Sequence, residues 1–448
     1  MNSRKLIILL VFVFALGNDA FSQDEFKFKD SKKRAVTLYF QSINNLIILS
    51  AKLNGKPINF LVDTGVNKTK VFGQIKDSVS LKNTEYLSLR SLGSSKPVKA
   101  YKTLNNYIDF GPIAGGNQEV YYITDDRFDL ASKLGVNVQG IIGYEFLKQF
   151  IFRLNYVGNS LRVYQHQYFH RKLRGFNQID LRLIRKKPHV KVAVKLLNTI
   201  IKDLIFLVDT GSSDAFWVFE EDGMFAPSNA FQDYVGYGLE TAILGKRAKM
   251  ESAQLGKYKL DEPKIAYIDS TSVKLFTANR YKNGIIGAQI LKKFILFLDY
   301  KNQKLYLRPS SFFNDISNYD RSGLFLTYVG EKIKTIKTPV SVTVNQGNSY
   351  QVREEDSYFQ IRVEISRILE VTNIRKNSPA AEVDIKVGDR ILSLNGKSVN
   401  RMEPEEITNL LSSEEGKRIK VMLQRDDELL RRVFYLRSQL NEKGININ

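Results

Sequence analysis

Apolar residues along this chain gather in short runs rather than long helical stripes. LIILSAKL, INFLVD, FIFRLNY and LRVY in the first half are alternating or wholly apolar. So are VKVAVKLL, LIFLVD, FILFLDY and KLYLRP in the second, and all eight predict β-strands. Tyr156-Val-Gly-Asn and Tyr300-Lys-Asn-Gln separate such runs as hairpin turns. Helical spacing is confined to YEFLKQF, AQILKKF and a stretch around Glu403 to Leu411. The run Leu6 to Leu16 differs, with eleven apolar residues behind Arg4 and Lys5 and small residues at Ala20 and Ser22. That layout predicts a secretory signal over residues 1–22, because crossing a bilayer takes about 20 apolar residues. The mature chain is therefore expected in the periplasm or outside the cell, without a membrane span.

The strand pattern is duplicated. INFLVDTG (Ile58 to Gly65) returns as LIFLVDTG (Leu204 to Gly211), with Asp63 and Asp209 146 residues apart. GIIGYEFLKQFIFRLNY (Gly140 to Tyr156) returns as GIIGAQILKKFILFLDY (Gly284 to Tyr300), identical at ten of seventeen positions. Gly93 to Gly111 and Gly238 to Gly256 match at a similar offset and read as hairpins. One lobe is thus present twice, over residues 35–165 and 188–310, with a basic, irregular linker at 166–187. A solenoid is excluded, since its repeats run to about 20–50 residues.

Composition narrows the chemistry. The chain has 448 residues, 43 % hydrophobic and 25 % charged, which is globular and fits two to four domains of roughly 150 residues. Cysteine is absent, so disulfides, thiolate metal sites and a cysteine nucleophile are excluded. Three histidines offer little: Gln167 stands where H-E-x-x-H would need glutamate between His166 and His170. Neither G-x-S-x-G nor a phosphate-binding G-x-x-x-x-G-K-[ST] occurs. No metal and no cofactor is expected. The formal net charge of +20 favours anionic partners such as envelope polymers. No nucleic-acid module is visible, and a solvated basic surface is the simpler account.

What remains is the duplicated D-T-G. Two carboxylates about 3 Å apart cannot both ionise, so they share one proton. The ionised member can then take a proton from water while the protonated member donates to a peptide carbonyl oxygen. Glycine permits a tight turn close to the carboxyl, and the threonine hydroxyl can bond across to the opposite loop. Each D-T-G is followed by GIIG after 77 or 75 residues, and this double pattern resembles the lobes of pepsin- and retropepsin-type aspartic proteases. The resemblance covers about Asn45 to Pro309 and implies a mainly β fold of two duplicated β-barrel lobes. It implies Asp63 and Asp209 as the catalytic pair, supported by Thr64, Gly65, Thr210, Gly211 and Ser212. Gly143 and Gly287 would let a strand cross beneath each loop. The second copy is the closer match: Tyr237 and Gly238 correspond to the flap over the substrate, and Trp217 is either the flap tyrosine's partner or core filler. The first copy departs with Val66, Asn67 and Lys68 after its glycine and Leu92 or Ser91 at the flap position. Lys68 is expected to face solvent.

The third region, 320–438, carries S-P-A-A (Ser378 to Ala381) and G-D-R-I-L-S-L-N-G (Gly388 to Gly396). It resembles a PDZ domain of the bacterial type, an α+β fold. The resemblance implies Gly323, Leu324, Phe325 and Leu326 as the groove that holds an extended peptide by strand addition. A domain that only packs against the lobes is the plainer alternative. Residues 330–357 read as an insertion or mobile loop. The expectation is a monomeric, exported aspartic endopeptidase that cuts extended or unfolded peptides, with PDZ-like recruitment or gating. The rival from another class is a peptide-binding envelope protein that holds its ligand without cutting it.

Overall fold

The computed structural model describes residues 25–73, 84–89, 98–125, 137–169, 173–196, 198–220, 224–237, 242–268, 283–316, 318–346 and 349–440, so the signal segment lies outside it. The run Lys56–Val62 is central in a nine-stranded sheet, between Leu46–Leu53 and Gly140–Ile142. It meets the first through Asn54-Gly55, whose φ values of +50° and +87° suit a two-residue hairpin. It lies parallel to the second, Gly140 opposite Phe60 and Ile142 opposite Val62. A strand paired on both edges and covered on both faces must be apolar where it is covered, which accounts for Phe60-Leu61-Val62, while the half-buried Asn59 side chain bonds the Asn137 carbonyl.

The second lobe, in a ten-stranded sheet, repeats this arrangement. Thr199–Asp209 lies between Lys187–Leu196 and Gly284–Gly287, with Phe206 opposite Gly284 and Val208 opposite Ile286. In each lobe the strand after the D-T-G loop, Thr69–Phe72 or Phe216–Phe219, returns antiparallel on the far side of the GII strand. The expected hairpins are shifted. Val98–Asp109 pairs back onto Thr84–Leu89, and Ala242–Lys249 onto Phe231–Tyr237, so Gly93 and Gly238 fall between paired strands rather than opening a hairpin. Both glycines lie outside the described residues.

The lobes join through a six-stranded sheet in which Phe294–Asp299 pairs with its own duplicate, Ile151–Asn155, Ile151 opposite Asp299. Described parts of segment 166–187 are regular. Asn177–Asp180 adds an edge strand against Lys304–Pro309, and Arg182–Ile184 opens a hairpin into Lys187–Leu196. Its basic, polar composition hid these strands because an edge strand with one exposed face tolerates charge. One continuous core serves both lobes and the joint, with Phe60, Phe146, Phe152, Phe206 and Phe294 at its centre.

The C-terminal region has its own core, over which helix Pro404–Leu411 lays Ile407 and Leu411. Residues 330–357 are not a loop: Leu324–Gln346 and Ser349–Ile374 form one long hairpin. Valine, isoleucine and threonine recur through that stretch, and their strand preference outweighs its lysine and glutamate content. Among the described residues no helix is long and apolar enough to cross a membrane.

Candidate active site

The two D-T-G loops meet at the pseudo-twofold axis between the lobes. Thr64 and Thr210 are 2 % and 4 % exposed, and each bonds the other's loop twice. Thr64 Oγ1 donates to the Val208 carbonyl at 2.6 Å and accepts the Thr210 N–H at 3.0 Å. Thr210 Oγ1 donates to the Val62 carbonyl at 2.8 Å and accepts the Thr64 N–H at 3.1 Å. Only a hydroxyl can donate and accept in this way from one short side chain. Beneath the threonines lie Val62, Val208, Phe152 and Leu298, a dry base for the loops.

This grip sets Asp63 and Asp209 side by side, their carboxyls hydrogen-bonded to each other. Each is also held by its own loop, the Gly65 N–H donating to Asp63 Oδ1 at 2.6 Å and the Gly211 N–H to Asp209 Oδ1 at 2.9 Å. The glycines are required by space: a Cβ on Gly65 would press on the Asp209 carboxyl, and one on Gly211 on the Asp63 carboxyl. Burial, and then the charge of Asp209, push the Asp63 carboxyl up to about 8, against the pull of the Gly65 N–H.

Gly143 and Gly287 end the strands that cross under the loops, where a side chain would collide with the carbonyls of Asp63 and Val66, or of Ser212 and Asp214. The Val66 carbonyl accepts the Tyr144 N–H at 2.9 Å and the Ser212 carbonyl the Ala288 N–H at 2.7 Å. This bond is main chain in both lobes, which is why valine can stand where the second copy has serine.

Trp217 packs against Val235 and Ile243 of the hairpin Phe231–Tyr237/Ala242–Lys249. Its indole N–H donates to Asp214 Oδ2 at 3.1 Å, so that group is engaged by Asp214. Tyr237 ends the described part of its strand, and Gly238 lies outside it. Lys68 is only part-exposed: it pairs with Glu119 at 2.9 Å, because an acid within reach outweighs the pull of solvent.

Charge pairing that local spacing did not reveal runs from the second loop to the C-terminal region. Arg247 bridges Asp214 at 2.6 Å and Asp233 at 2.8 Å. Asp233 also pairs with Arg375 at 3.1 Å, and Arg375 donates to the Asp320 carbonyl at 3.2 Å. Burial alone would raise the Asp214 carboxyl, but Arg247 and Lys264 outweigh it and hold the group below its ordinary value. The Arg375 guanidinium lies over Phe231 of the lobe-2 hairpin at 5.1 Å and near Phe325 at 5.8 Å.

Of the four residues expected to hold a peptide, Gly323 and Leu324 have their N–H groups already engaged. Gly323 donates to Asp320 Oδ1 at 2.6 Å and Leu324 to Ser322 Oγ at 3.0 Å. Phe325 and Leu326 are part-exposed on the outermost strand of their sheet, whose other edge has no partner among the described residues.

Thr64→Val is expected to cost about 1–3 kcal/mol for each buried group it leaves unpaired, the Thr210 N–H and the Val208 carbonyl. Thr64→Ser, which keeps the hydroxyl, should recover most of this. Urea unfolding midpoints of the two variants and the parent check it.

Residues 49–146 match a family model described as aspartyl protease, and residues 370–425 one described as PDZ domain. Among solved structures, the chain is similar to the aspartic proteinase from Irpex lacteus, at 12 % identity and a TM-score of 0.42, covering 63 % of this chain and 100 % of that one. No curated protein matches the chain. The chain is mainly β, and its first lobe and its C-terminal region match models described as aspartyl protease and PDZ domain.

Proposed function

We propose that the chain is an aspartic endopeptidase in which Asp63 and Asp209 act together on an extended peptide. The observation that carries this is the contact between the two carboxyls, each fixed by a glycine N–H and both gripped by the crossed threonines. One proton shared by the pair is the state the reaction needs. The ionised carboxylate takes a proton from water as the water oxygen bonds to the peptide carbonyl carbon. The protonated carboxyl donates to the carbonyl oxygen. A proton then passes to the amide nitrogen, the C–N bond breaks, and acid and amine leave. The proton belongs to the pair, so neither role is assigned to one aspartate.

The PDZ domain serves in this reading to gate or supply the cleft. Support comes from Arg375, which is shared between the lobe-2 hairpin and the PDZ strand. Residues 1–22 act as the export signal, and the mature enzyme works as a monomer in the periplasm or outside the cell.

Purified mature protein should cleave an unfolded casein-type substrate, and both Asp63→Asn and Asp209→Asn should lower the rate by at least 10²-fold. Full activity in either variant overturns the paired-carboxylate mechanism. Because the Asp63 carboxyl is raised to about 8, the pair keeps its proton through neutral pH. Cleavage should therefore fall as pH climbs through about 8, as a pH–rate profile will read. The same shift favours the protonated form in the folded chain, so its contribution to stability is complete below the ordinary carboxylate range and is lost as pH rises toward 8.

Arg375→Met removes one partner from buried Asp233, a loss of up to about 3–5 kcal/mol for a broken buried pair. Faster amide exchange across Phe231–Tyr237 and Ala242–Lys249, with a several-fold lower kcat/KM, is the expected result. Unchanged exchange and rate would separate the PDZ domain from the flap.

A further inference from the structure

Resting on the endopeptidase reading, we propose that Lys70 forms a cationic subsite that selects peptides carrying a glutamate or aspartate side chain near the scissile bond. The first observation is register. Lys70 stands opposite Ile141 on the crossing strand and beside Tyr121 on its other neighbour. Trp217 stands opposite Ile285 and beside Ala266, the duplicate positions. Lys70 is therefore the first lobe's counterpart of Trp217.

The second observation is direction. Val71 and Val218, one residue further along each strand, are fully buried in the main core. Side chains alternate along a strand, so Lys70 and Trp217 face away from that core. Trp217 there meets the lobe-2 hairpin residues Val235 and Ile243. On that face the second lobe carries an indole and the first an ammonium.

The third observation is the lack of a counter-ion. Lys70 is part-buried and has neither ion pair nor hydrogen bond among the described residues, and the same holds for the Lys187 ammonium. Their neighbours are satisfied: Lys68 and Lys102 share Glu119, and Lys186 reaches Glu145. Burial lowers Lys70 from its ordinary value, with Asp63 opposing and Lys187 reinforcing, which puts all three groups within electrostatic reach. Asp63 cannot serve as a full counter-charge, because it shares its proton with Asp209 and is tied to the Gly65 N–H. An ammonium withdrawn from water favours a partner of opposite charge, and a peptide carboxylate supplies a charge-assisted hydrogen bond. The +20 chain adds a field that draws acidic peptides in.

The test is a peptide series in which one Glu, Gln or Lys is walked through the positions flanking the cleaved bond, read as kcat/KM at pH 6–7. The parent should prefer Glu over Gln at one position by roughly tenfold, the scale of one charge-assisted bond. Lys70→Met should bring that ratio to about one, Lys70→Arg should keep it, and Lys70→Glu should invert it toward the Lys peptide. Cleavage without charge preference, or a preference unchanged in Lys70→Met, overturns the subsite and leaves the endopeptidase standing. If no peptide is cut, the endopeptidase reading falls. The subsite is then read by fluorescence anisotropy of the same peptides on Asp209→Asn, where equal affinity for Glu and Gln, or no binding, overturns it.

Discussion

Two threonine hydroxyls, crossed between the lobes, are the constraint on which the site depends. Each accepts a main-chain N–H from the facing loop and donates to the carbonyl just before the facing aspartate. The bonds are buried, so breaking one leaves polar groups without water. They therefore fix the relation of the two loops more firmly than apolar contact alone, which is non-directional. Asp63 and Asp209 inherit their mutual contact from this grip, and with it the strain of two carboxyls that cannot both carry charge.

The duplicated frame lets the two halves diverge in charge at matched strand positions. Lys102 and Arg247 occupy equivalent strand positions, opposite Tyr121 and Ala266. In the first lobe Glu119 sits between two lysines at 2.9 and 3.5 Å. In the second, Arg247 sits between two aspartates at 2.6 and 2.8 Å. One arrangement is an acid between bases and the other a base between acids. Both tie the segment after a D-T-G loop into the strands behind it. Among the described residues, only the second continues outward, through Asp233 and Arg375, to the C-terminal region. Tyr319 reinforces this joint: its hydroxyl lies 2.7 and 2.9 Å from the carbonyls of Ala248 and Ile265, to which its one proton can be donated, and accepts the Ile265 N–H at 3.0 Å. Among the described residues, Arg375 thus ties the C-terminal region to the lobe-2 hairpin rather than directly to the D-T-G loops.

At the PDZ end, Asp320 and Ser322 engage the amides of Gly323 and Leu324 from within the chain. Burial raises the Asp320 carboxyl to about 6, with Arg375 pulling the other way. The loop that would greet an incoming peptide thus already holds a carboxylate of its own, beside the guanidinium that also serves Asp233. Binding by strand addition along Phe325 and Leu326 needs no displacement of these bonds, whereas capture of a terminal carboxylate at the Gly323 and Leu324 amides competes with Asp320.

The sequence by itself determined the duplicated D-T-G loops, the GII strands, the helices behind them, the inter-lobe duplicates and the PDZ motif run. Those features depend on residue types with few substitutes: glycine where a Cβ would strike a carboxyl or a carbonyl, threonine where a hydroxyl must serve two bonds, unbroken apolar runs where strands are covered on both faces. Strands within 166–187 and 330–357 were hidden because edge strands and an extended hairpin carry charge without loss of pairing. The ion pairs through Arg247, Asp233 and Arg375 join residues up to 142 apart in a charged sequence, where no spacing marks one arginine from another. Lys70 escaped because one extra residue before Trp217 shifts the two copies out of step, and only strand register restores the match. Tertiary structure alone decided these, because a charge acquires its partner from whatever the folded chain brings alongside it.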